Sequence, residues 1–128
     1  VSGNTGGRNR KEKGAHNEHI AADFLSANGM RILKKNHITP FGEIDIVARD
    51  GEYTAFVEVK SREFSAYGTP LYAIDRKKRA HIIKNSLYYM KTHGLEDTPC
   101  RLDVVGITFD GNGMVMCIEH YKNAIEAW

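Results

Sequence analysis

Between Gly42 and Arg62 the chain reads Gly-Glu-Ile-Asp-Ile-Val-Ala-Arg-Asp-Gly-Glu-Tyr-Thr-Ala-Phe-Val-Glu-Val-Lys-Ser-Arg, two β-branched and aromatic runs joined by Asp50-Gly51. Asp and Gly tolerate the positive φ of a two-residue type I′ turn, so the stretch predicts a tight antiparallel hairpin. A turn centred on Asp50 and Gly51 sets Arg49 against Glu52, Val47 against Thr54, Asp45 against Phe56 and Glu43 against Glu58. Alternation then sends Glu43, Asp45, Glu58 and Lys60 to one face and Ile44, Ile46, Val57 and Val59 to the other.

Carboxylates gathered on one patch of a sheet repel. Asp45 and Glu58, diagonal neighbours in this register, lie about 7–8 Å apart at the backbone, within reach of converging side chains. Lys60 supplies one compensating charge. A hard divalent cation suits the patch better, because Mg²⁺ takes carboxylate oxygens and fills its shell with water and substrate phosphate. The competing reading is a solvated, salt-bridged sheet face, which the same alternation produces.

A chain of 128 residues, 41% hydrophobic and 27% charged, is expected to form one soluble domain. It contains no apolar run of membrane-span length and no signal-peptide pattern, so the cytoplasm is the expected compartment. The net charge of +2 is small but unevenly spread. Arg8, Arg10, Lys11 and Lys13 crowd the start of the chain, and Arg76, Lys77, Lys78, Arg79 and Lys84 crowd one later segment. Cys100 and Cys117 stand in apolar stretches and are expected to be reduced core thiols.

Residues 1–12 read as a flexible arm and 13–128 as the domain. A helix is predicted from Gly14 to Asn28, stopped by Gly29, with Ala21, Ala22, Phe24 and Leu25 on its apolar stripe and Glu18 at the stripe's edge. His16 and His19 flank Glu18 and are expected to be solvated. A strand follows from Met30 to Ile38, and Thr39-Pro40-Phe41-Gly42 turns it into the hairpin. After a loop containing Tyr67-Gly68-Thr69-Pro70, Asp75 caps a second helix that runs to about His93. Its expected stripe is Ala80, Ile83, Ser86, Leu87 and Met90. Strands over Arg101–Phe109 and Met114–Glu119 flank a turn at Asp110–Gly113, and the tail is expected to be a short helix. This α-β-β-β-α-β-β order predicts an α/β sandwich, a mixed sheet flanked by helices, with one pairing made parallel through a right-handed crossover.

Asp45 followed by Glu58-x-Lys60 after a turn, with Glu18 in the preceding helix, resembles the PD-(D/E)xK nuclease superfamily and, within it, archaeal Holliday-junction resolvases. The blocks Gly42–Ile46, Phe56–Arg62, Tyr67–Pro70 leading to Lys78, and Arg101–Val105 more closely resemble the bacterial YraN-like family, over about residues 14–120. Ile38 departs from that family's usual basic residue, and Leu102 from its usual Phe. The resemblance implies a restriction-endonuclease-like three-layer sandwich and Mg²⁺- or Mn²⁺-dependent hydrolysis of DNA, branched or structured DNA included, in recombination or repair. It implies that Asp45, Glu58 and Glu18 hold the metal and that Lys60 orients water or stabilises transition-state charge. Glu43 is an accessory ligand or a partner of Arg62 or Lys78. Arg62, Lys77, Lys78, Arg79 and Lys84 would contact nucleic acid, the basic helix start adding free N–H groups. Two alternatives stay open, a binding module that does not cut and a protein-interaction domain. A homodimer is compatible with any of the three.

Overall fold

The chain runs α1 (Gly6–Ala27), β1 (Arg31–Thr39), β2 (Gly42–Asp50), β3 (Tyr53–Glu63), α2 (Arg76–Thr92), β4 (Cys100–Phe109) and β5 (Val115–Tyr121), the order read from the sequence. The computed structural model describes residues 6–66, 68 and 71–126, apart from the side chains of residues 6–12. The Tyr67–Pro70 block therefore lies outside the described residues except for Gly68. The strands form one sheet in the order β1-β2-β3-β4-β5. All neighbours are antiparallel except β3 and β4, which the α2 crossover makes parallel.

Sheet residues of opposite parity make two cores. Ile46, Ala48, Ala55, Val57, Val105 and Ile107 pack under Ala21, Ala22 and Leu25 of α1. Val47, Phe56, Leu102 and Val104 pack under Tyr89 and Met90 of α2. Alternation along a strand puts these sets on opposite faces, so the helices sandwich the sheet. Helix α1 starts at Gly6, earlier than the expected Gly14. Residues 6–12 of the expected arm are thus helical, consistent with the good helix propensity of Arg, Lys and Glu, and residues 1–5 lie outside the described residues.

The hairpin closes one position later than expected. Asp50 pairs with Tyr53, so Gly51 and Glu52 are the central turn residues. Gly51 has φ +61° and Glu52 does not share a positive φ, the signature of a type II′ turn and not type I′. Asp50 stays in the strand, where its carboxylate takes Arg101 at 2.9 Å and Lys122 at 3.4 Å. Each expected pair consequently shifts by two, with Arg49 facing Thr54 and Val47 facing Phe56. An even shift keeps side chains on their faces. Asp45 now comes towards Glu58, where Phe56 was expected.

Helix α2 is capped by Asp75, whose carboxylate accepts from Lys78 N at 2.8 Å. Its buried residues are Asn85, Ser86, Tyr89 and Met90. Leu87 is half exposed and Ala80 exposed, contrary to the expected stripe. The buried face instead includes Asn85, which accepts a hydrogen bond from the Thr39 hydroxyl, itself accepting from Phe41 N at 3.0 Å. A buried polar pair thereby ties α2 to the β1–β2 turn. Residues 122–126 of the tail form a turn and a bend and not a helix, with Ile125 N donating to Leu102 O at 3.3 Å. Cys100 is half-buried and Cys117 exposed; the latter is no core thiol, because it points outward from the edge strand β5.

On β4, Asp103 is fully buried. Its carboxylate accepts from Arg101 Nε at 2.9 Å and Asn123 N at 2.9 Å and meets His120 Nε2 at 2.8 Å. These charge-assisted bonds offset the desolvation of a buried carboxylate and knit β4, β5 and the tail together. Asp103→Ala would leave the largely buried Arg101 with Asp50 alone and take the acceptor from His120 and Asn123 N, and is expected to cost about 3 kcal/mol of stability. Urea denaturation checks this, and an unchanged midpoint would mean that the network contributes nothing.

Candidate active site

The ladder between β2 and β3 ends at Ile46–Val57. From there β2 stays with β1 as far as Gly42, whereas β3 follows β4 as far as Glu63. The sheet forks. Asp45 sits in the crotch, its Oδ2 accepting the Val59 N–H at 2.9 Å in place of a ladder carbonyl. The strand also twists sharply here: Ile46 packs on the α1 side but Ile44 on the α2 side. The expected common face of Ile44, Ile46, Val57 and Val59 therefore excludes Ile44, and the carboxylates line a cleft between diverging strands instead of a flat patch.

Glu18 on α1 and Glu43 and Asp45 on β2 each bring a carboxylate oxygen within 4.8 Å of the others. Glu18 is 8% exposed, and its Oε1 has no hydrogen-bond partner. Asp45 lies close enough to both Glu18 and Glu58 for its charge to act on each, so it couples the two. Burial, followed by the charges of Asp45 and Glu43, pushes Glu18 up to about 7. Burial, followed by the charge of Asp45, pushes Glu58 up to about 7 against the opposing pull of Lys78. The Lys78 ammonium lies 3.3 Å from Glu58.

The basic residues divide. Lys77 and Lys78 line an open groove of about 500 Å³ together with Phe41, Glu43, Asp45 and His81. Lys84 stands over the Phe41 ring at 4.7 Å from its centroid. Arg79 turns elsewhere, its guanidinium donating to Glu126 O. Arg62 lines a separate groove with Lys13, His16, Asn17 and Ser61, so the structure does not bring it to the Lys77–Lys78 groove. Lys60 donates to Ala73 O at 2.7 Å, and the amine paired with Glu58 is that of Lys78. His19 meets the exposed Asp23 at 3.3 Å, in keeping with a solvated histidine.

A family model described as Uncharacterised protein family UPF0102 matches residues 17–107. The chain belongs to the UPF0102 family. It is 39% identical over 115 residues to the UPF0102 protein of Moorella thermoacetica, covering 90% of this chain and 96% of that one. It is 41% identical over 99 residues to that of Dehalococcoides mccartyi (77% and 82% covered) and 44% identical over 109 residues to that of Syntrophus aciditrophicus (85% and 84% covered). The UPF0102 match spans Glu18, Glu43, Asp45, Glu58 and Lys78, the charged residues gathered around the fork, and Lys60 beyond it. None of the described helices is long and apolar enough to cross a membrane.

Sequence reasoning missed three contributors to this UPF0102 site. Phe41 and His81 join the groove through the β1–β2 turn and the second turn of α2. Asn85 lines it too, from the buried face of α2. None carries a local signal, since each acquires its neighbours only when the helices dock.

Both raised carboxylates bind protons more tightly in the folded chain than at their ordinary value of 4.5. Their contribution to stability is therefore complete below about 4.5 and is lost as pH rises through about 7. In metal-free protein, the melting temperature of the parent is expected to fall further than that of Glu58→Gln between about pH 5 and about pH 8, by roughly 5 °C. Parallel pH profiles in calorimetry would remove the strain assigned to Glu58.

Proposed function

We propose that this protein is a divalent-metal-dependent endonuclease of restriction-endonuclease-like fold that hydrolyses phosphodiester bonds in DNA, branched or structured DNA included. The observation that carries this reading is the convergence of Glu18, Glu43, Asp45 and Glu58 at a sheet fork beside a groove lined by Lys77 and Lys78. An all-carboxylate donor set, one member buried with an unpartnered oxygen, fits a hard cation such as Mg²⁺ or Mn²⁺. Asp45, Glu18 and Glu43 would hold it, with Glu58 joined through Asp45. Bound there, the cation would neutralise phosphate charge and acidify an attacking water.

The protein's own groups do the rest. Lys77 and Lys78 position the phosphate backbone, aided by the free N–H groups at the start of α2. Lys78 holds Glu58 in place until a phosphate arrives to share it. Lys60, two residues beyond Glu58 on β3, stabilises negative charge on the attacked phosphate after exchanging the Ala73 carbonyl for it. The resemblance to PD-(D/E)xK enzymes, carried by Glu18, Asp45, Glu58 and Lys60, supports the role of Lys60.

A second reading, a nucleic-acid-binding module that does not cut, draws on one observation. Both amines are already engaged, Lys78 with Glu58 and Lys60 with Ala73 O. Cleavage assays on single-stranded, duplex, flapped and four-way DNA, with and without Mg²⁺ or Mn²⁺, separate the two. Metal-dependent cleavage is expected, and Asp45→Asn should abolish it. Lys60→Ala should lose about 10²-fold or more in single-turnover rate with little change in affinity. No cleavage by the parent on any substrate would favour the binding module.

Replacing Lys77 and Lys78 by Ala is expected to weaken binding to every sequence tested. The slope of log affinity against log salt should flatten by about 0.9 for each duplex phosphate that is no longer neutralised. Unchanged affinity and slope would take the groove out of the interface.

A further inference from the structure

We infer that Phe41, at the tip of the β1–β2 turn, is a stacking platform for one unpaired DNA base, so that the groove beside the carboxylates takes DNA with a single-stranded segment in preference to continuous duplex. This role rests on the DNA-binding part of the reading above and adds to it a base-binding subsite and a substrate class.

Phe41 is the second of the two residues that turn β1 into β2, between the paired Thr39 and Gly42. It is 41% exposed and lines the same groove as Glu43, Asp45, Lys77, Lys78 and His81. An exposed aromatic by itself is ordinary. This one is held in place. The Thr39 hydroxyl accepts from Phe41 N at 3.0 Å and donates to the buried Asn85, which fixes the turn to α2. Gly42, at φ +141°, lets the turn approach that helix, since a Cβ there would lie 3.4 Å from Asn85 Nδ2. Tyr88 braces the ring in a T-shaped contact, 5.7 Å between centroids and 82° between planes. A ring presented on a fixed turn loses little freedom when it takes a ligand.

The charges around the ring point to the class of ligand. Lys77, His81 and Lys84 stand at i, i+4 and i+7 on α2. They therefore share one face, along about 10 Å of helix. Lys77 and His81 line the groove, and Lys84 Nζ lies 4.7 Å from the centroid of the Phe41 ring. A basic row beside an exposed aromatic suits single-stranded nucleic acid, with phosphates on the cations and a base on the ring. An apolar peptide seated on Phe41 would instead have to desolvate the Lys84 ammonium without compensation.

Base stacking then sets the substrate class. Inside continuous duplex the faces of each base are covered by its neighbours, and only base edges reach the grooves. The Phe41 ring can stack only on a base released from that order, as in a gap or a single-stranded tail. Glu43 follows Phe41 by two residues at the start of β2, so a base held on the ring lies next to the carboxylate cluster.

The test compares a duplex carrying a short single-stranded gap with the same duplex after the gap is filled, so that the ends are identical. Affinities of the full chain are measured by fluorescence anisotropy in EDTA, where no metal-dependent cleavage intervenes. The parent is expected to prefer the gapped DNA by about 10-fold, within the range of one base–aromatic stack. Phe41→Leu keeps an apolar side chain and should lose that preference, while Phe41→Tyr should retain it. In a parallel arm, 5-iodouracil placed in the gap is irradiated on the parent protein, and mass spectrometry is expected to find the crosslink at Phe41. That arm needs no variant and holds even if Phe41→Leu is destabilised. Equal parental affinity for the two DNAs, a preference kept by Phe41→Leu, or crosslinks only at other residues would overturn the subsite and leave the groove a backbone-binding surface. A parent that binds neither DNA, in EDTA or in Mg²⁺, would instead overturn the DNA reading itself, and the role of Phe41 with it.

Discussion

Repulsion among carboxylates that the fold forces together shapes the centre of this molecule. The charge of Asp45 acts on Glu18 from one helix layer and on Glu58 from the neighbouring strand, and those two groups are pushed up to about 7. Crowded carboxyl groups limit the build-up of negative charge by holding their protons more tightly. The free energy that holds them there comes from apolar burial on both faces of the sheet, where Leu25, Ile46, Phe56 and Leu102 are almost completely excluded from solvent.

The fork makes such an arrangement possible. A continuous β2–β3 ladder would occupy the Val59 N–H with a backbone carbonyl and leave no room for Asp45 to reach both neighbours. With the ladder ended at Ile46–Val57, the Asp45 carboxylate takes over the Val59 donor and the cleft opens. The twist that sends Ile44 to the α2 side and Ile46 to the α1 side turns the same few residues towards both helices. Helix α1 then contributes Glu18 and helix α2 contributes Lys78, one to each side of Asp45.

Around this strained centre the molecule is tied at several points. Asn85 binds the β1–β2 turn through Thr39, and Asp103 gathers Arg101, His120 and the Asn123 backbone. Gly106 lets Leu71 close over β4, since a Cβ there would come within 2.8 Å of the Leu71 side chain. These contacts lie outside the carboxylate cluster and keep its distances from relaxing, which is how a fold retains an unfavourable electrostatic arrangement.

The element order, the hairpin and the Asp75 cap were legible in the amino-acid sequence. They follow from short-range rules, such as strand alternation, turn chemistry and capping, which operate over a few residues. Only the folded chain settles that Asp45 comes to Glu58, that Glu43 belongs with Glu18, and that Lys78 and not Lys60 pairs with Glu58. A turn displaced by one residue changes every cross-strand partner while leaving the alternation intact. The angle at which a helix lies on a twisted sheet depends on the packing of the whole core, so no window of sequence encodes which side chains its docking brings together.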